Sequence, residues 1–199
     1  MTTLALKPKQ SITRNLALVT AIWGAAVAVL ANQGVFLMFP MPWYALLVAL
    51  GIIIPTAIYF NSSSLQQYFR EVGHRPILLF HMWRVPAGLM FFWYGAQGEL
   101  PPIFWILAGT GDFLAGLLAF YTARKPLTSE SIRRFHRFGF ADFVVAVGTG
   151  LTHTLLLDPR MATVAVMPMA LIPLFGVGIS GTTHLIAFHM LRNEAKGVK

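Results

Sequence analysis

Cysteine is absent from all 199 residues. That removes disulfide bonds, thiolate metal sites and cysteine nucleophiles, and leaves the redox compartment open. Charge is scarce as well: Asp, Glu, Lys and Arg make up 11% of the chain, against roughly 25% in an ordinary soluble domain. Acidic side chains are the rarest, seven against fifteen basic, for a net charge of +8. So few charges cannot clothe the surface of a water-soluble domain, which excludes that class. Two familiar kinds of chemistry are missing too. The pairs Gly109/Gly111 and Gly148/Gly150 are not followed by a phosphate-binding lysine, and no serine, histidine and acid arrangement points to hydrolysis. No catalytic set, metal-ligand set or cofactor is therefore expected; the pattern favours a non-enzyme and leaves open an enzyme whose substrate is a lipid.

What is present is apolar length. Hydrophobic residues make up 56% of the chain, and six segments are long enough for the roughly 20-residue helix that crosses a hydrocarbon core. They run over Asn15 to Met38, Pro42 to Phe60, Pro76 to Gln97, Pro101 to Thr122, Arg134 to Leu157 and Thr163 to Leu191. The expected fold is an all-α bundle of six transmembrane helices forming one integral membrane domain over residues 1–199. The first apolar run is too long for a signal-peptide core and is expected to stay as an uncleaved span.

Lysine and arginine set the orientation. Thirteen of the fifteen fall in the amino terminus, the 61–75 connector, the 123–137 stretch and the carboxyl tail. Arg160 alone lies on the opposite side, and Arg84 lies within a span. By the positive-inside rule both termini are cytoplasmic. In this setting the basic charge is a topology signal, so no nucleic-acid partner is expected. The partner is the lipid bilayer, with a homodimer or larger membrane complex suggested by the small number of helices.

Three charges lie at membrane depth. Counting about 1.5 Å per helical residue, Arg84, Asp112 and Asp142 sit roughly 12–17 Å deep. Each would cost about 2.5–3.5 kcal/mol if it faced lipid alone, so they are expected to face one another across spans three, four and five. Asp112 shares its face with Ala108, Ala115, Gly116 and Ala119, a small-residue stripe that permits close helix approach. Pro86 leaves the carbonyl of Met82 without its helical donor and favours a polar pocket beside Arg84. Around this cluster, His81, Thr149, His153, Ser180 and His184 form an expected second ring of polar groups. His81 and His184 on facing helices also suggest two axial ligands of a haem, whereas His74 and His136 fall in basic segments and are expected to be solvated or to face lipid headgroups. Pro168, Pro173, Gly176, Gly178 and Gly181 predict a kinked or interrupted last span.

The arginine at 84, the run Gly95-Ala-Gln-Gly-Glu-Leu-Pro-Pro-Ile-Phe104, then Ala108-Gly-Thr-Gly-Asp112 and Gly116, with Phe138-Gly-x-x-Asp142 further on, resemble a family of uncharacterised bacterial multi-pass membrane proteins. The resemblance implies a bacterial inner (cytoplasmic) membrane and draws attention to Arg84, Asp112 and Asp142 together; it brings no substrate, cofactor or reaction. The functional expectation is a small-solute or proton-coupled transport or channel activity through this midplane polar site. The alternatives are a structural or accessory membrane subunit whose buried charges hold helices together, and a haem-binding electron carrier.

Overall fold

The computed structural model describes the backbone of residues 3–197 and the side chains of residues 9–197. The described residues are helical throughout, without a strand, and carry eight α-helices. These are α1 (Thr3–Asn32), α2 (Met41–Phe60), α3 (Ser63–Val72), α4 (His74–Phe80), α5 (Arg84–Ala96), α6 (Pro102–Arg124), α7 (Ser129–Leu155) and α8 (Val177–Ala195). Five stretches among them are long and apolar enough to cross a bilayer: Lys9–Asn32, Met41–Phe60, Pro102–Arg124, Ser129–Leu155 and Ile172–Ala195. Their outward faces carry large apolar side chains such as Leu18, Ile53, Leu114 and Val144, a surface suited to lipid and not to water. The protein is multi-pass.

Two expected spans are broken where proline removes a backbone donor. The segment expected to be continuous over 76–97 divides into α4, a tight 3-10 turn at His81–Trp83, and α5. Pro86 cannot bond to the carbonyl of Met82, and its ring crowds that carbonyl, so the chain tightens just ahead of it. The last expected span, 163–191, begins instead as a 3-10 segment at Pro159–Ala165 and becomes helical through a π turn at Ile172–Gly176 that contains Pro173. The first apolar helix ends at Asn32, earlier than the expected Met38, because Gly34 adopts a left-handed conformation at φ +70°.

Packing follows the small residues. On α6 the buried positions are Phe104, Ala108, Gly109, Asp112, Ala115, Gly116, Ala119 and Ala123, a stripe at helical spacing. Against it, α5 comes so close that a β-carbon added at Gly88 would lie 2.7 Å from the carbonyl oxygen of Gly109, and one added at Gly116 would lie 2.7 Å from the backbone nitrogen of Val85. The backbones touch, as dispersion-driven packing in lipid requires. α6 also packs along α7, and α8 lies between α2 and α7.

One end of the bundle gathers the basic connectors. Lys9 pairs with Glu71 at 3.9 Å, His74 with Glu194 at 3.1 Å, and Arg75 donates to the carbonyls of Ala123 and Lys125. The opposite end holds the turns around Phe39, Leu100 and Asp158. There the Tyr44 hydroxyl donates to the Val164 carbonyl, tying α2 to the 3-10 segment.

Candidate functional site

Arg84 is the hub. It begins α5 directly after the tight turn, so its guanidinium reaches inward and is 2% exposed. Nε donates to Oδ1 of Asp112 on α6 at 2.6 Å, Nη1 donates to the Gly139 carbonyl on α7 at 3.1 Å, and Nη2 donates to Oδ2 of Asp142, also on α7. One guanidinium thus joins three helices through its planar fork, a geometry that lysine could not supply. With both carboxyl groups ionised the trio carries a net formal charge of −1.

The glycines beside these residues are explained by the same contacts. A β-carbon at Gly111 would overlap the Asp142 carboxylate, so the Thr110-Gly111-Asp112 motif supplies one carboxylate and leaves room for the other. A β-carbon at Gly139 would lie 2.7 Å from Cε1 of His184 and 3.3 Å from Nη1 of Arg84. The Phe138-Gly139-x-x-Asp142 motif does the corresponding work on α7, offering its carbonyl to Arg84 and its bare Cα to both side chains.

A cavity of about 180 Å³ adjoins Arg84 and Asp112. Its walls come from α2 (Tyr44, Val48, Ile52), α5 and α6 (Phe91, Phe104), α7 (Phe143, Ala146, Thr154) and the π turn with the start of α8 (Ile172, Pro173, Ser180), and Met161 and Val164 close its far end. At the arginine end Ser180 accepts from the indole N–H of Trp83 at 3.1 Å, and the Tyr44 and Thr154 hydroxyls in the other walls are already bonded to the carbonyls of Val164 and Gly150. The rest is apolar. A dry apolar void of similar volume, about 150 Å³, admits a benzene-sized guest, so the space suits a small, largely apolar molecule with one polar end.

The other expected polar neighbours divide. His184 is fully buried beside Arg84, and His81, in the tight turn, is fully buried against it. Ser180 lines the cavity. Thr149 turns back to the carbonyls of Val145 and Ala146 in its own helix, outside the cluster. His153 lies at the far end of α7, 3.6 Å from Asp158. Two expectations are corrected. His136 is not solvated: it is fully buried with its Nδ1 2.8 Å from Nδ1 of His184. His74 is also buried and is paired with Glu194. Both sit on the inner faces of helices whose basic neighbours, Arg133, Arg134, Arg137 and Arg75, made the segments look exposed. A haem between His81 and His184 does not fit either, because the two rings stack at 4.2 Å between centroids and 27° between planes, with no slot for a macrocycle.

Fold and site together define a helical multi-pass membrane protein with an ion-paired centre. The chain belongs to a family described as a domain of unknown function, DUF8737, which matches residues 39–192 and so takes in α2 through most of α8 with all three charged residues. No curated protein and no solved structure matches the chain.

Proposed function

We propose that the protein carries protons, coupled to a small and mostly apolar solute, through the Arg84–Asp112–Asp142 centre. The observation that carries this is the cavity: Arg84 and Asp112 form its polar end, so the ion pairs border a space a molecule can enter. A triad that served only to fasten helices needs no void beside it. The charge balance supports the same role. One guanidinium facing two carboxylates favours holding a single proton between them, and a proton held by carboxylates at membrane depth is what a relay exchanges. The π turn and prolines at the head of α8 give the cavity wall the kind of interrupted helix that recurs at transporter binding sites.

The membrane arrangement that fits this role has six spans, with His74–Ala96 crossing as α4, the tight turn and α5 in series. Lys9 near the start of α1 and Glu194 near the end of α8 lie at the same end of the bundle, through Glu71 and His74 respectively. That supports an even number of crossings, and the positive-inside rule would then put both termini in the cytoplasm, the membrane proposed being a bacterial inner one. A homodimer would cover part of the long apolar flank of α1. The competing role, a structural or accessory subunit, is favoured by the strength of the three-helix junction at Arg84.

The test is proton flux in liposomes loaded with a pH dye. Wild-type protein is expected to dissipate an imposed pH gradient faster than empty liposomes. Asp112→Asn and Asp142→Asn should slow that flux by about tenfold or more while keeping helical content and monodispersity, since a charge-assisted hydrogen bond is worth about 1.5–3 kcal/mol. Folded variants with undiminished flux, or wild-type liposomes no leakier than empty ones, would favour the accessory role.

A further inference from the structure

Behind the arginine, on the side away from the cavity, lies a second cluster that the proton path does not use. His81 from the tight turn, His136 from α7 and His184 from α8 are each fully buried, and one ring nitrogen of each lies within 4.8 Å of the other two. We propose that these three imidazoles form a binding site for one transition-metal ion that imidazole ligands suit, zinc(II) or copper(I).

Unmet hydrogen-bonding capacity is the first ground. Nδ1 of His81, Nε2 of His136 and Nε2 of His184 have no partner among the described residues, although buried ring nitrogens are ordinarily satisfied. Of these, Nδ1 of His81 is the free donor that would join the facing Nδ1 atoms of His136 and His184 on one ion. Pre-orientation is the second ground. The Thr183 hydroxyl lies 3.2 Å from Nε2 of His81, the kind of outer contact that fixes a ligating ring and leaves its other nitrogen to the metal. Nδ1 of His136 and Nδ1 of His184 already face one another at 2.8 Å. Tetrahedral zinc at about 2.0–2.1 Å from each nitrogen would need them roughly 3.4 Å apart, so the His136–His184 pair opens by about half an ångström and His81 turns out of its stack on His184 to bring in the third nitrogen.

Charge narrows the choice of ion. Neutral imidazoles bring none. Across Gly139 the group nearest His184 is the Arg84 guanidinium, whose positive charge is offset by its pairing with Asp112 and Asp142, so the site suits an ion of low charge or one that brings an anionic fourth ligand. Phe135, Phe140 and Phe188 ring the histidines and supply the apolar shell that keeps competing water out. An ion here would join the broken third segment to α7 and α8 at the point where proline has weakened the backbone. Three imidazoles leave a tetrahedral ion with one position open to an exchangeable ligand.

The experiment uses the full chain, purified in detergent with its affinity tag removed, stripped with chelator, and titrated separately with zinc(II) and with copper(I). About one equivalent of one ion per chain is expected to survive desalting, with X-ray absorption showing a nitrogen shell and imidazole scattering. His136→Gln and His184→Gln should each weaken binding by at least about tenfold, while His74→Gln keeps about one equivalent. If the histidine variants misfold, the absorption spectrum of the wild-type protein decides, since a shell without imidazole overturns the proposal. Folded wild-type protein that retains neither ion overturns it, as does retention unchanged in both variants. No flux is measured, so the site stands or falls apart from the proton path.

Discussion

Replacing Arg84 by methionine removes the charge while keeping an unbranched side chain of comparable reach. The loss is large because the guanidinium is 2% exposed and serves three acceptors on two helices. Its removal strands the carboxylates of Asp112 and Asp142 and the Gly139 carbonyl in the bundle interior. Breaking a buried pair by deleting one partner costs about 3–5 kcal/mol, and this deletion orphans two anions, so Arg84→Met should lose at least that range. Neutralising both acids in the same chain, as Arg84→Met/Asp112→Asn/Asp142→Asn, removes the stranded charge and should recover much of the loss, since a buried ion cluster replaced as a unit is often near neutral. Unfolding in mixed micelles titrated with denaturing detergent, followed by circular dichroism, measures both values. A single variant within about 1 kcal/mol of wild type, the level of an exposed pair, would refute the claim that the three charges are buried and mutually dependent. A triple variant no more stable than the single one would refute the charge explanation and point to packing.

Gly111→Ala should be destabilising, because its β-carbon would occupy the Asp142 carboxylate's place; a cost of about 1–3 kcal/mol is expected from overpacking, and stability equal to wild type would contradict the packing of α6 on α7. Asp158 offers a pH test outside the spans. Hydrogen bonding from the Arg160 side chain holds its carboxyl down to about 2, with smaller help from the Arg160 backbone and charge and from His153. The native-state value is depressed, so its stabilising contribution is complete above the ordinary carboxylate range near 4 and is lost as pH falls through about 2. The Tm difference between wild type and Asp158→Asn should accordingly shrink to nothing over that window; a difference independent of pH would contradict the pairing.

Much of the ion-paired centre was legible because bilayer energetics leave few choices. Arg84, Asp112 and Asp142 fall at similar depths on successive spans, and facing inward is their cheapest arrangement. The small stripe of α6 was legible for the same reason, since alanines and glycines at helical spacing mark close packing in lipid. Local backbone breaks were harder. Pro86 signalled a free carbonyl at Met82, but hydropathy runs smoothly from Pro76 to Gln97, so nothing in the pattern showed that the helix would tighten into a 3-10 turn at His81. His136 was misread for a related reason: charge in a linear window is averaged over all faces of a helix. Arg133, Arg134 and Arg137 surround it in sequence, and only the helical phase separates its inner face from theirs. Gly139, three residues later on the same face, was the available clue. Pro86 pointed to a polar pocket beside Arg84, but the mostly apolar extent of the cavity had no linear signal, because its walls come from five separate helices and the 159–176 region.

The cysteine-free chain allows the most direct test of whether the ion-paired centre borders an accessible space. Ala146 lines the cavity one helical turn beyond Asp142, and Ala115 is fully buried on α6 away from it. In bilayer-reconstituted protein, Ala146→Cys should react with a small, charged, water-soluble thiosulfonate, and protonophore-driven acidification or a ring-sized apolar solute should change the rate, while Ala115→Cys stays unlabelled. Labelling of neither thiol in folded protein would contradict the account and leave Arg84, Asp112 and Asp142 as a closed junction between helices.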